Sequence, residues 1–101
     1  MKKIYVYFGT RNGSYNIAKS NKFNTFEEAI NEVKTYLKNE NLEEEGKHFV
    51  ETLQKNTTNN GFYWGHFESG NSPTIIGVAL HGRCKEIKSV FNYFKECLKL
   101  N

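Results

Sequence analysis

Phe62-Tyr63-Trp64-Gly65-His66-Phe67-Glu68-Ser69-Gly70-Asn71-Ser72-Pro73-Thr74-Ile75-Ile76-Gly77-Val78-Ala79-Leu80 reads as a β-hairpin: an aromatic run, a turn signal at Ser69 to Ser72, and an apolar run. A four-residue loop there pairs Phe67 with Thr74, Tyr63 with Val78 and Trp64 with Gly77. Side chains alternate between the faces of a strand, so this register sorts them. One face carries Tyr63, Phe67, Ile76, Val78 and Leu80, which is a core. The other carries Phe62, Trp64, His66, Ile75, Gly77, Ala79 and His81, with Arg83 just beyond it. That second face sets large aromatics beside small residues and edges them with imidazoles and a guanidinium.

Working outward, residues 4–23 read as another hairpin. Ile4, Val6 and Phe8 alternate with Tyr5, Tyr7 and Gly9, and Asn12-Gly13 is a strong signal for a two-residue turn. Pairing Arg11 with Ser14 then sets Phe8 opposite Ile17 and Val6 opposite Lys19. Ile4, Val6, Phe8, Tyr15 and Ile17 share a core face, and Tyr5, Tyr7, Asn16, Ala18 and Ser20 share the other.

Between the hairpins, Thr25-Phe26-Glu27-Glu28 is a capping box. It opens a helix whose apolar stripe is Phe26, Ala29, Ile30, Val33 and Leu37. A second helix is expected over about residues 42–55. Asn41 is its cap, Glu43, Glu44 and Glu45 fill its first turn, and Leu42, Phe49, Val50 and Leu53 point inward. Gly46 opposes that helix by about 1 kcal/mol relative to Ala. Asn56 to Gly61 reads as a loop. A third helix begins at Cys84 and carries Ile87, Val90, Phe91, Phe94, Cys97 and Leu98 on one face.

The order is β-β-α-α-β-β-α, an α+β fold in which the two hairpins form one largely antiparallel sheet with helices packed on one face. One domain spans residues 1–101, because a hydrophobic content of 38% does not fill two cores.

Charge is segregated along the chain. There is no aspartate, and eight of the eleven glutamates fall between Glu27 and Glu51 against three lysines, a net of −5. Residues 1–23 carry five basic groups and no acid, and the formal total is +3. No apolar run approaches the roughly 18 residues of a membrane span, and the Met1-Lys2-Lys3 start lacks the apolar length of a signal peptide, so a cytoplasmic location is expected. Cys84 and Cys97 lie about 20 Å apart on one helix, beyond the roughly 7 Å limit for a disulfide. Two unpaired thiols fit a reducing compartment.

Tyr5, Tyr7, Phe62, Trp64, His66, His81 and Arg83 are expected to share one open sheet surface, with Lys85 and Lys88 beside it on a basic helix stripe continued by Lys95 and Lys99. Aromatics beside basic groups suit an interface anchored by Trp, Tyr and Arg, and equally the stacking of nucleobases. The competing reading of that face is burial, beneath the second helix or a second subunit. The lysine stripe competes with an ordinary solvated helix face.

His81-Gly82-Arg83-Cys84 sets a thiol at a helix start between basic groups, with an imidazole near enough in sequence to act as a base. No aspartate exists to orient that base. No paired-Cys or paired-His spacing preorganises a metal site, and no phosphate loop is present. Neither metal nor cofactor is expected. The reading is a non-catalytic intracellular binding protein that occupies a protein partner or macromolecular complex, with the profile of phage- or mobile-element-type inhibitors and of immunity or regulatory proteins. Binding of nucleic acid or a nucleotide is the alternative, and a small cysteine-dependent enzyme stands third. Sheet edges and exposed aromatics also suit a homodimer.

Overall fold

The computed structural model describes residues 3–10, 19–68 and 73–99. Its elements are β1 (Ile4–Thr10), β2 (Lys19–Phe23), α1 (Phe26–Asn39), α2 (Lys47–Asn60), β3 (Phe62–Phe67), β4 (Thr74–Leu80) and α3 (Cys84–Lys99). This is the α+β order expected from the sequence. The four strands form one antiparallel sheet in the order β2-β1-β4-β3.

The second hairpin takes the expected register: Tyr63 pairs with Val78, Trp64 with Gly77 and Phe67 with Thr74. The first hairpin does not. Phe8 pairs with Lys19, Val6 with Asn21 and Ile4 with Phe23, two residues further along β2 than an Asn12-Gly13 turn would impose. Because the shift is even, every strand residue keeps its face. The Asn12-Gly13 turn, the positions Tyr15, Asn16, Ile17 and Ala18, and the Ser69 to Ser72 turn lie outside the described residues.

The larger core joins Ile4, Val6, Phe8, Phe67, Ile76 and Val78 of the sheet to Ala29, Val33, Leu37, Leu42, Phe49 and Leu53 of the α1–α2 layer. α1 starts at the Thr25–Glu28 capping box. It ends in a Schellman motif. Asn41 sits at φ 60°, its N–H donates to Lys38 O at 3.2 Å, and Leu42 N–H donates to Leu37 O at 2.8 Å. Leu37 and Leu42 are both buried in the same cluster.

That motif corrects the expected start of α2. Asn41 terminates α1 in place of capping α2, and Glu43 to Gly46 form turns before the helix begins at Lys47. Gly46 is there because a Cβ would stand 2.6 Å from Leu37 Cδ1. The end of α2 is corrected too, since the segment read as a loop is helical through Asn60. Phe49, Leu53 and Thr57 recur every four residues and are all buried, so packing on the sheet overrides the weak helix propensity of the Thr and Asn residues. Gly61 at φ 84° closes the helix.

The layering holds the main correction. α1 and α2 pack on one face of the sheet, and α3 packs on the other, where Tyr7, Ile75, Ala79, Ile87 and Phe91 form a second buried cluster. Across the strands on that face, Tyr5, Ala79 and Phe62 make one row and Tyr7, Gly77 and Trp64 the next. Small residues down the middle and aromatics on both sides make a trough. Ile87 fills it: a Cβ on Gly77 would lie 2.4 Å from Ile87 Cγ2.

Candidate functional site

The trough decides what becomes of the expected binding face. Its residues do share one side of the sheet, but α3 covers the centre. Tyr7 is only 5% exposed, so it is withdrawn from any surface. Burial pushes its hydroxyl above the ordinary tyrosine value, and a hydrogen bond with the Cys84 thiol and the neighbouring Tyr5 act in the same direction. The thiol is thus engaged with Tyr7, and the His81 imidazole lies beside Tyr5, with Nδ1 3.5 Å from the Tyr5 hydroxyl. Tyr5 is half-buried, its ring 6.5 Å from that of Tyr7.

Beyond the end of α3 nearest the β4 turn, the face opens into a cleft of about 1090 Å³. Three elements build it. The last turn of α2 supplies Asn56, Asn59 and Asn60, the start of β3 supplies Phe62, Tyr63 and Trp64, and the β4–α3 connection supplies Leu80, His81, Gly82 and Arg83. That connection is a tight turn in which Arg83 N–H donates to Leu80 O at 2.9 Å, and Gly82 at φ 97° takes the positive-φ position. The strand ends are tied nearby: Leu80 N–H donates to Gly61 O at 2.8 Å and His81 N–H to Lys3 O at 2.9 Å.

Arg83 is the organising side chain. Its guanidinium lies 5.5 Å above the Phe62 ring, a cation–π contact. Its stem runs across Gly61, where a Cβ would come within 2.7 Å of Arg83 Cγ. Its Nε is 3.5 Å from Glu86 Oε1, and half of the side chain remains exposed. A guanidinium has five donors, and Arg83 lines the cleft. Among the described residues, none that lines the cleft is acidic.

Of the residues expected to bind, the cleft brings together Phe62, Trp64, His81 and Arg83. Trp64 is 38% exposed and meets the Phe94 ring edge-on at 5.8 Å. His66 lies farther along β3 against Phe94 at 4.6 Å, with Nδ1 3.7 Å from Glu68 Oε1. Lys85 and Lys88 are exposed on the outer side of α3 and do not line the cleft.

Five contributing residues were missed in the sequence. Asn56, Asn59 and Asn60 lie at helical spacing and were hidden by the loop assignment. Tyr63 was placed wholly in the core, but its edge reaches the cleft while its hydroxyl lies 2.9 Å from Thr52 Oγ1. Tyr93, 65% exposed and 5.4 Å from the Phe94 ring, extends the aromatic surface outward from Trp64.

Among the described residues, no group of three or more His, Cys, Asp or Glu side chains is placed to hold a metal ion, and no helix is long and apolar enough to cross a membrane. Comparison of the chain with family models, with curated proteins and with solved structures found no match.

Proposed function

We propose that this chain is a non-catalytic binding protein that occupies a protein partner through the Arg83 cleft, taking in an anionic segment of that partner. One observation carries the reading: among the described residues, a cleft walled by Phe62, Tyr63 and Trp64 and edged by three amides has a single full cation and no acid in its lining. Such a surface favours a ligand that brings its own negative charge, and buried aromatic and Arg anchors are the usual seats of binding energy at protein interfaces. Inhibitors and immunity or regulatory proteins act in this way, by occupancy.

The test uses the only tryptophan as reporter. A randomised peptide library panned on the immobilised chain should enrich acid-containing sequences. Their binding should change Trp64 emission and weaken about tenfold or more in Arg83→Gln, the loss expected for a charge-assisted contact. Oligonucleotides tested in parallel address the other ligand class. If Trp64 responds to them and to no selected peptide, the nucleic-acid reading replaces this one.

A further inference from the structure

The two edges of the sheet are unlike. β2, at one edge, has the sequence Lys19-Ser20-Asn21-Lys22-Phe23. Lysines on an edge strand oppose pairing with another chain. β3, at the other edge, reads Phe62-Tyr63-Trp64-Gly65-His66-Phe67 and contains no Lys, Arg, Glu or Pro. Among the described residues no strand pairs with its outer side. Among the described residues the two exposed large hydrophobics are Trp64, on β3 itself, and Tyr93, and both meet the Phe94 ring.

We propose that the outer edge of β3 seats a second copy of this chain, paired antiparallel across a two-fold axis, with Glu68 of each copy set against Arg83 of the other. The inference stands on the strand edge and so goes beyond the binding reading.

Symmetry restricts the registers, and the greatest overlap of the six-residue strand with its copy selects two of them. Directly opposed residues in an antiparallel pair share a face, and a two-fold axis perpendicular to the sheet leaves each face on its own side. Opposed residues are therefore both even-numbered or both odd-numbered, and the axis passes through a residue. With Trp64 on the axis, Trp64 meets its counterpart, Tyr63 meets Gly65 and Phe62 meets His66. With Gly65 on the axis, Trp64 meets His66, Tyr63 meets Phe67 and Phe62 meets Glu68. Neither register opposes like charges.

Both registers bring charge complementarity to the same place. Glu68 extends the even-numbered row of β3 beyond Phe67 and is 77% exposed at its side chain. In the Gly65 register the partner's Glu68 falls opposite Phe62, over which Arg83 lies. In the Trp64 register it falls one pair further, about 7 Å along the strand, at the mouth of the Arg83 cleft and within reach of two long side chains. The second copy thus supplies the acid that the cleft lining lacks. Self-pairing and capture of an anionic partner segment draw on the same guanidinium, so they compete.

Sedimentation equilibrium tests the pairing directly, together with amide hydrogen exchange. The wild-type mass should rise with concentration from the 11.8 kDa of one chain towards twice that value, and β3 amides should gain protection as it does. Glu68→Arg and Arg83→Glu alone should each weaken association about tenfold or more. The double variant, with the charges exchanged, should return to within a few-fold of wild type. Far-UV circular dichroism confirms that each variant is folded. A single-chain mass at every concentration overturns the proposal. So does a dimer whose β3 amides are unprotected, or one that both single variants leave intact. Peptide capture by the cleft is read separately, on dilute protein, so the two proposals fail independently.

Discussion

Thr57 is fully buried on the sheet-facing stripe of α2, and among the described residues its hydroxyl has no hydrogen-bond partner. An unmet buried hydroxyl costs about 1 to 3 kcal/mol. Thr57→Val keeps the shape and removes the polar atom, so urea denaturation should show a gain of about 1 to 2 kcal/mol. A variant no more stable than wild type would mean that the hydroxyl finds a partner in solution. Tyr7 makes a pH-dependent counterpart. Its folded-state pKa is raised above the ordinary 10.0, chiefly by burial, so the unfolded chain gives up this proton first. Stability is therefore unaffected by Tyr7 below about pH 10 and falls above it, by up to about 1.4 kcal/mol per pH unit. Tyr36, also raised chiefly by burial, adds loss of the same sign. Tyr7→Phe should flatten the alkaline limb of a stability–pH curve, and an unchanged slope would remove Tyr7 from the explanation.

At the scale of elements, the contact of α3 with β4 depends on the absence of one methyl group. Gly77→Ala would press a Cβ into Ile87, which is fully buried and has nowhere to retreat. Overpacking of this kind costs about 1 to 3 kcal/mol, measurable as a lowered denaturation midpoint; an unchanged midpoint would show that α3 can lift off without loss. The same strand shows what the sequence made legible. Its pairing with β3 followed from turn length and alternation, as did the core face through Val78. The covering of its second face was also written there, in seven successive residues without a strongly polar break, since a strand buried on both sides reads as a continuous apolar run. The apolar stripe of α3 needed a surface, and Gly77 and Ala79 supplied it. The ends of α2 were harder to read. Asn41 serves equally as an N-cap or as a left-handed helix stop, and only the Leu37–Leu42 contact decides between them. Of the cleft, Phe62 and Trp64 were legible because they lie on the hairpin, and His81 and Arg83 because they follow directly on its second strand. The three asparagines were not, because their helix is held by tertiary burial of Thr57.

At the scale of the whole molecule, the sheet separates two charged layers. The acidic middle of the sequence folds into the α1–α2 side, and Arg83, Lys85 and Lys88 belong to the α3 side. An approaching charged surface therefore meets opposite signs on the two sides, and its attraction weakens as salt rises. The position of β1 bears on how the molecule comes into being. β1 lies between β2, its near neighbour in sequence, and β4, where Ile4 meets Leu80. Closing a chain segment of that length costs roughly 4 kcal/mol in entropy before any contact compensates. Topologies dominated by such distant pairing fold in milliseconds to seconds. A growing chain emits β1 ahead of β4 and must hold it, with one side unpaired, until α1, α2 and β3 have all emerged and β4 follows. A central strand of the sheet is thus made well before the neighbour that encloses it.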